Sequence, residues 1–419
     1  MRERWARLLA LASLPVVVLL ALGFGWQQLQ RGEQLSSATD PELWRTLYPL
    51  HVASYFQGRD PAQSRDADAS PRHDRLAENP FRARAWAGMA FELEYNAARA
   101  HYYAQTDQRD SRRTQEREQP AGCIHCHAAE APALVAELGW DTLNAMSYQD
   151  ITERVHHGSS CADCHQPGTM ALTITRPALR NALQSQGIDP DAAPPEKMRD
   201  YVCAQCHVEY YFRGDGNELV FPWANGMAPD SIERYYAALG FSDWTHTGTG
   251  AGLIKVQHPN YELHSQGPHA AEGISCADCH MPRVQFQGSE ITDHWIRSPM
   301  QQVQQACMGC HRGDAARMTQ RTQRIQQNTD ALLAATESAL STLMDALSGA
   351  LTDNPDHPAL AAAQQAHRQA QFRWDFVDAD ASRGLHAPEV AEQLLEEARE
   401  IATEGAASLT SGIIPAPIR

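Results

Sequence analysis

The apolar positions of this chain fall into two kinds of pattern separated by polar stretches. An unbroken apolar run from Leu8 to about Trp26 follows Arg2, Arg4 and Arg7. It is near the lower length of a membrane span and longer than the apolar part of most signal peptides. No small-x-small cleavage site stands out after Leu22-Gly23-Phe24-Gly25-Trp26. Residues 1–30 therefore read as an uncleaved signal anchor in preference to a cleaved signal peptide. In either case the basic flank stays inside and the body of the chain is exported.

Helical spacing of apolar residues marks Trp86 to Tyr103, and again Asp314 to about Leu351, roughly Ala359 to Val377, and Pro388 to Leu409. Pro355 and Pro358 separate the first two of the late helices. The stretch from Ser36 to about Asn79, rich in charge from Asp60 to Arg75, reads as surface wrapping. Asp107 to Gln119 reads as a polar linker. The Gly-rich, aromatic insert after Phe212, through Phe221-Pro222-Trp223 and Phe241-Ser242-Asp243-Trp244, reads as irregular. With few β-branched runs, the expected fold class is mainly α. Residues 36–313 form a loop and helix body, and 314–419 form a helical region that packs on it or offers a dimer face.

Composition changes this picture in one respect. Across 419 residues the aromatic content is 7% and the mean hydropathy is −0.48, so a large core needs a filler besides ordinary side chains. A formal charge of −16 excludes nucleic acid as a partner, because a phosphate backbone demands excess Lys and Arg. It equally excludes a purely electrostatic hold on anionic lipid. Uptake of an anion would need a locally positive channel.

The cysteines identify the filler. There are 10, and each falls in a Cys-x-x-Cys-His motif: Cys123/Cys126/His127, Cys161/Cys164/His165, Cys203/Cys206/His207, Cys276/Cys279/His280 and Cys307/Cys310/His311. Zinc ribbons, dithiol redox motifs and disulfides use Cys-x-x-Cys as well. They do not explain a histidine in the fifth position every time. The pattern is that of covalent haem c attachment, with the thiols on the porphyrin edge and the histidine on the iron. Haem c is attached outside the bacterial cytoplasm, which agrees with an exported, periplasmic body held to the inner membrane by its N-terminus.

Each motif histidine supplies one axial ligand. An electron carrier fills the sixth position too, whereas a catalyst leaves one open, so the remaining histidines decide the function. His101, His269, His294 and His386 are the candidates; His51, His73, His246, His357 and His367 read as exposed. Counting alone leaves four or five closed sites.

The third motif continues as Cys203-Ala204-Gln205-Cys206-His207-Val208-Glu209-Tyr210-Tyr211-Phe212. Together with Phe241-Ser242-Asp243-Trp244, Lys255-Val256-Gln257-His258-Pro259, Cys276-Ala277-Asp278-Cys279-His280-Met281-Pro282, Thr292-Asp293-His294, Arg373-Trp374-Asp375 and His386-Ala387-Pro388, it resembles the pentahaem cytochrome c nitrite reductases. The similarity runs in order from about Tyr95-Asn96 to about Pro388. The resemblance implies an ammonia-forming nitrite reductase whose active-site haem is bound through Cys123 and Cys126. By the same resemblance, His101 closes the third haem, His294 the second, His386 the fourth and His269 the fifth. Arg113, Tyr210 and His258 match the distal pocket, where Arg113 and a protonated His258 would hold nitrite. Glu209 and Gln257 side chains and the Tyr210 and Lys255 carbonyls match a calcium site. The implied cofactors are five haem c and one calcium ion, and the implied partner is a multihaem or quinol-linked electron donor.

Three departures from the family pattern stand out. Most members carry Cys-x-x-Cys-Lys at the active-site haem, whereas Cys123-Ile124-His125-Cys126-His127 ends in histidine. His125 inside that motif reads as a solvent-facing spacer. The chain also ends at Ile414-Pro415-Ala416-Pro417 without a long extension, which weakens the case for a homodimer. Two other readings stay open: an electron-transfer cytochrome with every iron closed, and the same pocket used on hydroxylamine, nitric oxide or sulfite.

Overall fold

A computed structural model describes residues 39–59, 73–97 and 99–411. The proposed N-terminal anchor and the Pro-rich end lie outside the described residues. Among the described residues no helix is long and apolar enough to cross a membrane.

The architecture is mainly helical, with three two-stranded antiparallel ladders. Three long helices, Ala315–Asp353, Leu360–Asp378 and Pro388–Ser411, pack along one another. Asp314 caps the first by accepting the Arg317 N–H at 2.7 Å, and Asn354 ahead of Pro355 ends it. Its second half buries Leu340, Leu343, Met344 and Leu347, a 3.6-residue stripe that meets Leu394, Leu395, Ala398 and Ile401 of the last helix in one core. Its first half buries only Thr322 and Thr329 before Thr336. Thr336 donates its hydroxyl to Leu395 O at 3.0 Å.

The middle helix ties this bundle to the front of the molecule. Arg373 is buried and reaches Glu233 at 2.5 Å, Asp230 at 3.2 Å and Glu397 at 3.1 Å. Asp375 is fully buried and accepts from Lys255 Nζ at 2.8 Å. The motif Arg373-Trp374-Asp375 is therefore a joint between layers.

Four local expectations change. Trp86 to Tyr103 is not one helix: a short helix ends at Ala85, and single 3-10 turns occupy Ala90–Glu92 and His101–Tyr103. Gly88, at φ +97°, turns the chain away. The apolar spacing serves instead an edge-to-face cluster in which the Trp86 ring meets Tyr95 at 4.9 Å and Phe91 at 5.8 Å. The linker after Asp107 holds two short helices, Ala104–Arg109 and Arg112–Glu116. The insert after Phe212 is ordered as a hairpin pairing Tyr211 with Val220, then the helix Pro229–Leu239, then a ladder pairing Trp244 with Leu253. Pro229 at its start and Gly240 past its end are ordinary helix boundary residues. Finally, the segment after Ser36 is not only wrapping. Pro41–Thr46 and Pro49–Gln57 are helical, and Trp44 and Val52 are buried beside Cys161 and Met170.

Candidate functional site

Each Cys-x-x-Cys-His motif lies at a short turn of the backbone. In Cys161–Cys164 and Cys276–His280 the sequence writes its own start, because Ser160 with Asp163, and Ser275 with Asp278, form capping boxes. All ten thiols are unpaired. Thiols of different motifs adjoin: Cys126 meets Cys206 and Cys203 meets Cys276. Cys164 lies near Cys203 and Cys206, and Cys279 near Cys307 and Cys310. The third motif thus touches the first, second and fourth, and the fourth leads to the fifth.

The histidine rings test whether this arrangement suits iron. Two imidazoles on one metal, each nitrogen about 2.0–2.1 Å from it, put their ring centres about 6 Å apart. His101 and His207 stand at 6.1 Å, His165 and His294 at 6.3 Å, His280 and His386 at 6.4 Å, and His269 and His311 at 6.1 Å. Several of these rings spend Nδ1 on the protein. His165 donates to Met170 O at 2.8 Å, His280 to Arg297 O at 3.0 Å and His294 to Thr292 O at 2.8 Å. That leaves Nε2 for a metal, the usual way a ligating ring is oriented. His264 also stands 6.0 Å from His386, but its Nε2 is engaged by Ile274 O at 3.1 Å. The donor set fits four bis-imidazole haems.

The first motif differs. His127 donates Nδ1–H to Ala104 O at 3.1 Å, so its ring is held like the others. Among the described residues no second imidazole faces it at that spacing.

What faces this motif instead is a half-buried group of Arg113, Tyr210 and His258. Arg113 sits on the short helix Arg112–Glu116, its guanidinium 4.1 Å over the Phe91 ring. Its Nε has no partner. Burial pulls its pKa below the usual arginine value, opposed by nearby Tyr210. Tyr210 stays a phenol, because burial raises its pKa well above 10. His258 interacts with His127 and Arg113, and burial followed by His207, His127, Lys255 and Arg113 lowers its pKa to about 3. This works against the protonated His258 that the resemblance implies, since a second cation beside Arg113 is unfavourable without an anion.

The wall behind this pocket is zipped from two segments. His258 N–H donates to Val208 O at 3.3 Å, Tyr261 N–H to His207 O at 3.1 Å, and Gln257 N–H to Glu209 Oε2 at 2.6 Å. Tyr236 donates its hydroxyl to Glu209 Oε1 at 2.9 Å. Burial, with Asp243 and Glu262 nearby, holds the Glu209 pKa well above the carboxylate range. Burial raises Asp243 to about 7 and Glu262 to about 8. Lys255, a buried cation close by, is paired with Asp375. Gln257 Nε2 donates to Lys255 O at 3.0 Å, so this side chain and that carbonyl meet beside Glu209.

Two glycines invisible to motif reading deliver the distal rings. A Cβ on Gly158 would lie 2.1 Å from His101 O, and one on Gly267 would lie 1.9 Å from His386 O. Only glycine lets the backbone pass so close. Ser54 is a third missed support: its hydroxyl donates to Asp293 at 2.7 Å and accepts from His294 N–H at 2.8 Å.

Three histidines are not where the sequence suggests. His125 is buried, with its ring edge-on to Trp140 at 5.5 Å. Its neighbour Ile124 on the same turn belongs to a small core with Leu134 and Leu143. His246 and His367 are buried as well. Thr249 bridges them, its Oγ1 3.1 Å from His246 Nδ1 and 3.0 Å from His367 Nδ1. His367 Nε2 donates to Gln371 Oε1 at 2.9 Å.

Five such turns, with imidazoles placed across four of them, define a multihaem c-type cytochrome. More particularly, the chain belongs to the cytochrome c552 family, which it matches over residues 40–416. The cytochrome c-552 of Bacteroides fragilis is 35% identical over 360 residues, covering 84% of this chain and 71% of that protein. That of Parabacteroides distasonis is 36% identical over 360 residues, with 84% and 73% covered. Among solved structures, the cytochrome c nitrite reductase of Desulfovibrio desulfuricans, described with two calcium sites, matches with a TM-score of 0.84 at 29% identity. The match covers 90% of this chain and 87% of that one.

Proposed function

We propose that this chain reduces nitrite to ammonium at the centre carried by Cys123, Cys126 and His127. The observation that carries this reading is that, among the described residues, no second imidazole stands about 6 Å from His127 as at the other four motifs, while Arg113, Tyr210 and His258 converge beside it. A purely electron-transferring cytochrome would close that position as it closes the other four. The activity of the Desulfovibrio relative supports the same substrate.

When bound, five haem c groups supply single electrons and one open coordination position. The protein does the rest. His165 with His294, His207 with His101, His280 with His386, and His311 with His269 would hold the four relay groups. At the open centre, the partnerless Nε–H of Arg113 donates to an anion's oxygen and orients it, a charge-assisted bond that is strong away from water. The reaction consumes eight protons with six electrons. Neutral His258 presents an N–H to the anion, whose negative charge raises the ring's proton affinity and makes it a proton carrier. Tyr210, held as a phenol, is a fixed hydroxyl donor.

Calcium fits the pocket wall. A fully buried Glu209 carboxylate among other carboxylates needs a cation, and the hard-oxygen set of Glu209, Gln257 and the Tyr210 and Lys255 carbonyls suits that ion. It would staple the two segments already zipped by hydrogen bonds. The basic and apolar residues 1–30 hold this body at the periplasmic face of the inner membrane, within reach of a quinol-linked or multihaem donor.

The test is ammonium formation by the fully haem-loaded, chemically reduced protein supplied with nitrite, beside parallel hydroxylamine and sulfite assays. Turnover with nitrite that is lost in His258→Ala supports the proposal. Full haem loading without ammonium overturns it.

A further inference from the structure

The candidate iron ligands are not all held alike. His127, His165, His280 and His294 give their Nδ1–H to backbone carbonyls. His386 gives its Nδ1–H to a carboxylate, Asp380 Oδ1, at 2.8 Å. The Asp380 side chain is fully buried, and among the described residues no arginine or lysine pairs with it. Its other partners are neutral. Asn260 donates Nδ2–H to the same Oδ1 at 2.6 Å, and Ser382 donates its hydroxyl to Oδ2 at 2.5 Å.

Asn260 continues the network. It opens the helix Asn260–Gln266, two residues after His258. Its Oδ1 stands 3.4 Å from His207 Nδ1. An unbroken file of side chains therefore runs His207–Asn260–Asp380–His386, linking the third centre to the fourth. Arg383 at φ +56° and Gly384 at φ +84° fold the following loop back, and Gly267 lets the His386 backbone seat tightly.

A carboxylate on the far nitrogen makes an imidazole a stronger electron donor to the metal on its near side. A more basic ligand stabilises the oxidised iron, and hydrogen bonding beyond the ligand is one of the protein's levers on haem potential. A carbonyl or amide oxygen acts in the same sense but more weakly, since it carries no full charge. We propose that Asp380 is a tuning residue that sets the fourth centre at a lower reduction potential than the third, and that Asn260 couples the two centres through their ligands. This rests on the ligand reading above, in which His386 and His207 bind iron.

The experiment is a potentiometric titration of the haem-loaded protein, followed by visible and electron paramagnetic resonance spectra that resolve individual low-spin haems. His386→Ala tests the ligand reading by itself. It must convert one low-spin haem to high spin, and an unchanged spectrum overturns both statements. In Asp380→Asn one haem becomes easier to reduce by more than any other. Its ratio of reduced to oxidised form rises about tenfold at fixed solution potential, ~59 mV for one electron, with all low-spin signals retained. Asp380→Glu keeps the carboxylate and restores the native titration. Asn260→Asp, which places a second carboxylate beside His207, makes the third centre harder to reduce. If Asp380→Asn fails to load haem, Asn260→Asp decides alone. Titrations that superpose on the native curve overturn the proposal.

Discussion

The centre on Cys123 and Cys126 and the centre on Cys203 and Cys206 adjoin through their thiols, yet they are finished in opposite ways. Both carry the same Cys-x-x-Cys-His turn. At the third, a chain segment from far upstream presses His101 to 6.1 Å from His207. At the first, the same region of space receives an unpartnered guanidinium, a phenol and a neutral imidazole. The segment 207–210 serves both, with His207 in one and Tyr210 in the other. The motif fixes where iron can sit. What the opposite wall delivers decides whether that iron can do more than relay an electron.

The sharpest break of this contrast is Arg113→Ala. Removing one preorganised donor is expected to lower nitrite turnover by roughly 10²–10³, with the spectra of the four closed centres unchanged. Equal loss of all haem signals would make Arg113 a structural residue instead. Lys255→Met attacks the wall behind the pocket. It leaves Asp375 buried and unpaired, so denaturant unfolding of the loaded protein should show a loss of about 3–5 kcal/mol.

Gly158→Ala works on the closed side. The clash with His101 O at 2.1 Å must push the ring away from His207, costing about 1–3 kcal/mol and giving the third haem a high-spin fraction. An unshifted spectrum would mean that His101 does not depend on this seat. The smallest effect concerns pH, through a pair far from either centre. Burial, then His246, lowers the His367 pKa to about 3, below the usual 6.5. The unfolded chain therefore binds this proton first. The contribution to stability is complete above about pH 6.5 and is lost as pH falls towards 3. His367→Gln should flatten the acid side of the stability curve by up to ~1.4 kcal/mol per pH unit, and an unaltered slope would assign the titration elsewhere.

Much of this was legible from residues that act locally. Cys-x-x-Cys-His is complete within five positions, and the late helices announce themselves by spacing, by Asp314 at one end and by Pro355 at another. The ring pairs were not legible that way. His101 and His207 are distant in sequence, and only resemblance suggested that they meet. The buried pair His246 and His367 is not legible locally either, because Thr245-His246-Thr247-Gly248 is a polar stretch with no apolar spacing. Thr249, Gln371 and the Arg84 carbonyl supply the hydrogen bonds that the two neutral rings need away from water. Trp86 to Tyr103 failed for a related reason. Its apolar spacing answers to an aromatic cluster shared with Trp374, not to a helix face.

The close approach of thiols from different turns bears on the order in which the molecule is made. Cys126 meets Cys206, and Cys203 meets Cys276. Adjacent free thiols in an oxidising compartment join. A chain that closed its fold before its porphyrins were attached would cross-link its own attachment points and lock the groups out. Capping each cysteine while the chain is still open, with the final packing left until last, avoids that trap.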